Sequence, residues 1–453
     1  MISPKNLSRK TTLCGAILAA VALPFQASAL VELPSGTINI NTTLSGTYDS
    51  YFIGTFDHKP DYYATLSPQL SYTHNIGPSN LYTYVGVAIN RYNTNSRFDS
   101  EDLSAGISSN FPVVEGSRLS GRIGASYSES TQIDEIVNDR VAMKSYQFDF
   151  SAAYRTGLKT NLSDRINYNR SERQIYGQQT IWSNLLAFSY ADFLEDTNLN
   201  LSHTYTKTQS DAPNFAGYVY DPTLIGDIPD VPLDQTANTF NVGVAHPLYG
   251  QIIGEVVYGY MIMDRSAAET NDHTTSDKTQ SIALNITGPL LPPERFPKVK
   301  SSARISYEQS TSQGINDSGY KSVVGNVNLS WNARERTRVS LGASRTQSLG
   351  SNNFSVATTQ GTFGVTENIG LATTLNGSLN YTWRTYRGIN RRDNVFEANA
   401  SLSHALTKHW RLGATYLFQN NNTNAPTTSF QASRFRLENY TRHVVSLSIS
   451  CGY

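Results

Sequence analysis

Across 453 residues the chain has only two cysteines, Cys14 and Cys451, four methionines and four tryptophans. With Cys14 in the N-terminal 29 residues, a disulfide within the remainder is excluded, and so is any cysteine-based metal site. There is no GxxxxGK[ST], HExxH, CxxC or DxDxDG stretch, so phosphate-loop, zinc-protease, redox and calcium-loop chemistries have no sequence support. Beyond the first 25 residues no apolar run approaches the about 20 residues of a membrane helix. Charge of one sign is also lacking: Lys+Arg and Asp+Glu are 36 each, with no polybasic tract, which argues against a nucleic-acid partner. Stretches with the apolar spacing of three and four that marks amphipathic helices are missing as well, which excludes an ordinary α/β enzyme.

Tyrosine, in contrast, is abundant at 27 residues. The segment His443 to Tyr453 reads HVVSLSISCGY. Tyr453, Cys451, Ile449, Leu447 and Val445 fall on one face, opposite Gly452, Ser450, Ser448, Ser446 and Val444. That is a strand with one apolar and one polar side, ending on an aromatic, as the closing strand of an outer-membrane β-barrel does. The usual terminal residue of such strands is Phe; here it is Tyr.

At the other end, Lys5, Arg9 and Lys10 precede an apolar run from Leu13 to Phe25 and an Ala27-Ser28-Ala29 site. This is the layout of a secretory signal covering residues 1–29, cleaved near Ala29 to leave Leu30 first. The mature chain would carry 33 Lys+Arg (36 less the three in the signal) against 36 Asp+Glu. If it crosses a membrane it must do so as a closed sheet, because no helix is available.

Period-two segments recur along residues 30–453 without a break that would divide them into domains. They predict 20 strands, near 37–49, 61–74, 80–93, 98–110, 117–129, 144–157, 159–172, 179–193, 197–209 and 235–246, then 250–265, 276–288, 299–311, 319–332, 336–347, 353–367, 371–387, 392–405, 410–421 and 437–453. Merging two weak segments would give 18. Every second connection is short, such as TGLKT, FLEDT and LTKHW. Those between are longer, as at 130–143, 210–234, 266–275 and 422–436. The fold class expected is an all-β, transmembrane, antiparallel outer-membrane barrel with short periplasmic turns and both ends in the periplasm. A secreted solenoid or sandwich fits poorly, since no repeat of fixed period appears.

The alternation also assigns faces. Charged side chains on the lipid face cost about 2–4 kcal/mol at the bilayer midplane, so the charges of these strands should point inward. Arg118, Arg122, Arg165, Arg304, Arg338, Arg384, Arg411 and Arg442 are the expected lumen-lining cations, with Asp149, Glu255 and Glu308 as partial counter-charges. Two residues break the pattern: Asp164 shares its face with Leu162, Ile166 and Tyr168, which predicts a place near the periplasmic rim, and His203 shares its face with Leu199, Leu201 and Tyr205. No H-x-S pairing occurs, and a histidine without a placed nucleophile does no chemistry. The chain is therefore expected to be no enzyme and to need no cofactor or metal. The lumen reads as a hydrated, mildly cationic path for an anionic or polyhydroxylated solute, or simply as a wall stiffened by Arg–carboxylate pairs.

The stretches SGTININTTLSGTYDSYF, PDYYATLSPQLSYTHN and LYTYVGVAINRYN, and the end ENYTRHVVSLSISCGY, resemble the putative β-barrel porin-2 family. Asp61, Pro68 and Leu70 hold its second motif, and Tyr440, His443, Val445 and Leu447 its last; Tyr51 stands where Asn is usual. The resemblance implies passage of exopolysaccharide or a related saccharide across the outer membrane of a Gram-negative bacterium, with no catalytic residues. A general small-solute porin and a structural or adhesive barrel are the alternatives. Expected partners are outer-membrane lipid and lipopolysaccharide, the barrel-assembly machinery, polysaccharide and periplasmic secretion components. Two connections carry further expectations: the Pro-rich 288–298 as a periplasmic contact, and 210–234 as an extracellular lid over the lumen.

Overall fold

The computed structural model describes residues 31–33, 36–52, 59–112, 117–134, 139–174, 177–211, 233–267, 275–291, 298–313, 319–349, 355–387, 391–424 and 439–452. A short strand, β1 (Val31–Leu33), precedes twenty long ones. The first ten of these are β2 (Gly36–Asp49), β3 (Asp61–Ile76), β4 (Ser79–Tyr92), β5 (Ser100–Phe111), β6 (Leu119–Asp134), β7 (Asp139–Arg155), β8 (Thr160–Arg173), β9 (Gly177–Leu194), β10 (Thr197–Ser210) and β11 (Leu233–Tyr249). The rest are β12 (Ile252–Ala267), β13 (Thr275–Gly288), β14 (Val299–Gln313), β15 (Gly319–Asn332), β16 (Thr337–Leu349), β17 (Ser355–Ile369), β18 (Thr373–Arg387), β19 (Arg391–Ala405), β20 (Trp410–Thr423) and β21 (Tyr440–Gly452). The only helix among the described residues is one 3-10 turn at Ser96–Phe98.

From β2 onward each strand pairs antiparallel with the next, and β21 returns to β2, from Asn41↔Gly452 to Asp49↔Val444. The sheet is thus a closed barrel of 20 strands, which decides between 20 and 18. Closure is the physical requirement: in lipid every backbone N–H and C=O must be paired within the protein, and an open sheet edge would not be. Strands about 4.8 Å apart and tilted about 40° give a barrel of this size a width of roughly 40 Å between backbones. Barrels of 16–18 strands already hold an aqueous channel.

The ends of the barrel differ as expected. One end has two-residue turns at 77–78, 195–196 and 250–251, where Gly77 and Gly250 adopt φ of +55° and Asp196 +54°. A left-handed residue suits the twist of a tight hairpin, and Gly or Asp tolerates it. The connection 289–298 is the longest at this end. The other end carries 50–60, 211–232 and 424–439. The expected loop 130–143 is corrected: β6 and β7 pair as far as Asp134↔Asp139 and leave only 135–138 between them. Residues 130–143 contain no Gly or Pro to interrupt the ladder, so the hairpin simply continues.

The outer face follows the predicted alternation. Leu119 and Ile123 on β6, Phe148 and Tyr154 on β7, and Leu412 and Tyr416 on β20 are exposed large apolar side chains, two or four residues apart. Fully buried apolar residues are few, because the apolar surface meets lipid rather than a core. Cross-strand aromatic pairs Tyr48–Tyr62, Tyr168–Trp182 and Phe396–Phe418 sit on this face toward the loop end, with ring centroids 4.8 to 6.3 Å apart. Aromatic rings gather at that level where lipid meets water.

β1 completes the seam. β2 runs beyond the last residue of β21, so its residues 36–38 would present a bare edge. β1 folds back and pairs there, Val31↔Ile38 to Leu33↔Gly36.

Candidate functional site

With apolar residues outward, the opposite parity of each strand forms the inner wall. Around the barrel it reads Asn, Ser, Thr and Gln, tied across strands. Gln360 donates to Asn380 at 2.9 Å, and Asn380 to Glu397 at 3.1 Å; Gln419 donates to the other oxygen of Glu397 at 2.9 Å. Glu255 is held the same way, by Asn200 at 3.0 Å and Asn285 at 2.9 Å. It reaches Asn200 two strands away across Gly243, where a Cβ would stand 2.8 Å from its Oε1. Sequence parity finds Glu255; Glu397, equally placed on the wall, is legible by the same parity and was not among the expected residues.

The expected arginines divide into two groups by height. Toward the short-turn, periplasmic end stand Arg118, Arg122, Arg165, Arg304, Arg338 and Arg411, each within about five residues of the end of its strand and all exposed. Arg155 and Lys300 share that level and that face. Against these cations, among the described residues, stand two carboxylates on the same half of the wall. Asp149 is 3.4 Å from Arg122, and Glu255 is bound by the two carboxamides described above. Arg304 donates to Asn285 at 3.3 Å and Arg338 to Ser330 at 3.0 Å.

At the loop end the arithmetic reverses. Arg442 grips Asp49 through Nε at 2.9 Å and Nη2 at 2.5 Å, a bidentate pair across the seam in which Asp49 is only 3% exposed. Arg265 pairs with Asp277 at 2.7 Å and Arg391 with Asp393 at 2.6 Å. Arg384 lies on this half, as does Glu308. Asp61, fully buried, accepts from the backbone N–H of Thr94 and Asn95 and from the Asn95 side chain. This clamp holds the 3-10 turn so that Phe98 packs on Phe52 and Tyr92, centroids 5.6 and 6.2 Å apart. Tyr92 faces inward, so the cluster lines the inner side of the loop-end rim. Nothing in the sequence marked it, because its members come from two loops and a strand end.

Two inward tyrosines complete the periplasmic half. Tyr82 and Tyr84 lie 5.9 Å apart on β4, three and five residues from its periplasmic end. The Tyr84 ring lies over Gly106 of β5, where a Cβ would approach it to 2.4 Å.

The pattern-breaking residues sit outward. Asp164 accepts from Asn184 at 2.6 Å on the lipid face of β8–β9, four residues from the periplasmic end of β8. His203 stacks on Phe240 at 4.5 Å, 3.3 Å from the Asn238 carboxamide. His246 and His404 meet Thr197 and Thr373 near periplasmic turns, and His409 meets the Gly452 carbonyl. Among the described residues no three His, Cys, Asp or Glu side chains form a metal-binding group. Leu447, Ile449 and Cys451 lie on the outward face of β21. Residues 1–29, Tyr453, nearly all of 210–234 and the middle of 288–298, residues 292–297, fall outside the described residues, with the cleavage site, lid and periplasmic contact expected there.

The family model for putative beta-barrel porin 2 matches residues 311–443, from the end of β14 to the start of β21. That is the family the end motifs resemble, and the matched stretch contains Tyr440 and His443 together with Arg338, Arg384, Arg411 and Arg442. Among solved structures the chain is similar to the FrpB iron transporter from Neisseria meningitidis, at a TM-score of 0.56 and 8% identity, over 92% of this chain and 81% of that one. The siderophore receptor PirA from Pseudomonas aeruginosa gives 0.51 and 9%, over 93% and 81%. The outer membrane protein OpdK from the same organism gives 0.42 and 11%, over 92% and 99%. For the first two, at such identities, the likeness is one of fold. No curated protein matches the sequence. Closed sheet, wet wall and family match together define the class: the chain is an outer-membrane, porin-like β-barrel.

Proposed function

We propose that the barrel is a passive conduit for exopolysaccharide or a related saccharide across the outer membrane, with no catalytic centre. The observation that carries this reading is the continuous wall of hydroxyl, carboxamide and guanidinium groups inside a 20-strand closure. Such a wall offers a hydroxyl-rich polymer replacement hydrogen bonds at every step, and none of them is strong enough to trap it. The similarity to porin-2 proteins supports it further. Residues 1–29 serve as the cleaved signal and residues 30–453 as the barrel, delivered to the outer membrane by the assembly machinery. Deleting the gene should leave polymer in the periplasm, and restoring it should return polymer to the medium. Normal secretion with impaired uptake of small sugars would instead make the chain a small-solute porin.

A further inference from the structure

The conduit reading does not say which saccharide enters, or from which side; the charge distribution along the wall bears on both. At the loop end Asp49, Asp277 and Asp393 each hold an arginine and Asp61 holds backbone donors, so these charges are matched and largely shielded. Among the described residues Arg173 and Arg384 are the exposed wall cations of that half, Arg384 standing opposite Asp393 in the ladder. At the periplasmic end the exposed cations of the wall outnumber Asp149 and Glu255 several-fold. If the arginines only stiffened the wall, carboxylates would accompany them at both ends. They do so at one.

From this we propose that the periplasmic half of the lumen is a binding vestibule for a polyanionic saccharide, loaded from the periplasm; the proposal rests on the conduit reading. Arg118 just before β6, Arg122 on β6 and Arg165 on β8 form one arc of wall with Tyr82 and Tyr84 on β4. A guanidinium presents a planar fork that matches a carboxylate or phosphate with two parallel hydrogen bonds. The flat face of a tyrosine suits the apolar face of a sugar ring, and Tyr84 is laid against the wall by Gly106 rather than pointing across the channel. Cations and rings at one level are what a glycan carrying acidic groups requires, whereas a neutral glycan needs only the rings. Across the lumen Arg304, Arg338 and Arg411 extend the same positive level. Charges of one sign inside a low-dielectric wall focus the field and raise the local concentration of the opposite ion. Among the described residues the loop end adds no second cationic level of this kind, so a chain drawn in at the periplasmic side is released outward.

The test uses the full mature chain in planar lipid bilayers, with a tag in connection 211–232 reporting orientation. Under a KCl gradient the reversal potential should show preference for chloride. Polygalacturonate added on the periplasmic side should block the current at lower concentration than on the other side, and neutral dextran of equal length should block weakly from both. Block should fade near 1 M salt, where the screening length is about 3 Å. Arg165→Gln, Arg304→Gln and Arg338→Gln combined should move the reversal potential toward zero and abolish the sidedness, while Arg345→Gln, on the outward face of β16 that carries Leu341, changes neither. Heat-modifiable gel migration verifies that each variant is folded. Absence of any conductance from the folded protein would sink the conduit reading itself. Conductance without anion preference, equal block by both polymers, or equal block from both sides would overturn the vestibule and leave the conduit standing.

Discussion

Arg442 shows what a single residue's parity tells and what it leaves out. The alternation of HVVSLSISCGY, carried one residue back, places it on the inner face, and the structure has it there. Its partner, Asp49, lies 393 positions earlier and meets it only because the barrel closes. A wall cation in the sequence is thus a seam latch in the fold. Removing one partner of such a pair leaves a charge without compensation, which costs more than removing both. Asp49→Asn is expected to destabilise the barrel by about 2 kcal/mol, toward the low end for charged groups because Arg442 keeps some contact with water. The double variant Asp49→Leu/Arg442→Met should recover much of that loss. Urea unfolding of the protein in lipid vesicles measures both; a double variant as unstable as the sum of its singles would refute a coupled latch. Glu255 carries a second lesson at this scale. Its hydrogen bond to Asn200 depends on the missing Cβ of Gly243, and no motif announces a glycine kept for a neighbour's side chain.

Elements were the most legible level. Each of the twenty expected strands is present with its ends moved by a few residues, because period-two alternation persists for the whole length of a membrane-crossing strand and the turn residues fall between. The one added strand, β1, is three residues long, too short to alternate. Its place is set by the bare edge of β2. Substituting Glu32→Pro and Leu33→Pro should speed amide exchange at 36–38 while the amides of 41–49, paired to β21, stay protected; unchanged exchange would mean the edge is covered otherwise. Faces make a sharper prediction. Leu379, 45% exposed at the middle of β18, faces lipid, and Ser378 beside it faces the lumen. Leu379→Arg should lower folding stability by about 2–4 kcal/mol, and Ser378→Arg by far less. Equal penalties from urea titration in vesicles would contradict the assigned faces. Connections were less legible, since 130–143 lacks turn residues yet is polar, and polarity alone suggested a loop where the hairpin continues.

For the molecule as a whole, closure fixes the behaviour expected in detergent. A sheet in which β2 pairs β21 has no terminal edge to fray, so opening must disrupt ladders along entire strands at once. The folded barrel should migrate faster than the boiled chain on a semi-native gel and fractionate with the outer membrane. A soluble periplasmic pool with no shift on heating would contradict the fold's assignment to a membrane. The distribution of charge between the two ends also belongs to this scale. Individual arginines are visible in the sequence, but their sorting into a matched rim and an unmatched vestibule requires knowing which strand end faces which side and which carboxylates come near.

The sequence by itself determined the all-β class, the strand positions, the faces of most strands and the short-turn end, because each depends on residue spacing along one strand or on the residues of one turn; the count of 20 over 18 came from the closed ladder. The tertiary structure alone decided the Arg442–Asp49 seam, the Asp61 clamp with Phe52, Tyr92 and Phe98, the coupling of Glu255 to Asn200 across Gly243, and the patching of β2 by β1. Each of these joins residues from separate strands or loops, and side chains far apart in the chain become neighbours only when the ladder of backbone hydrogen bonds closes on itself.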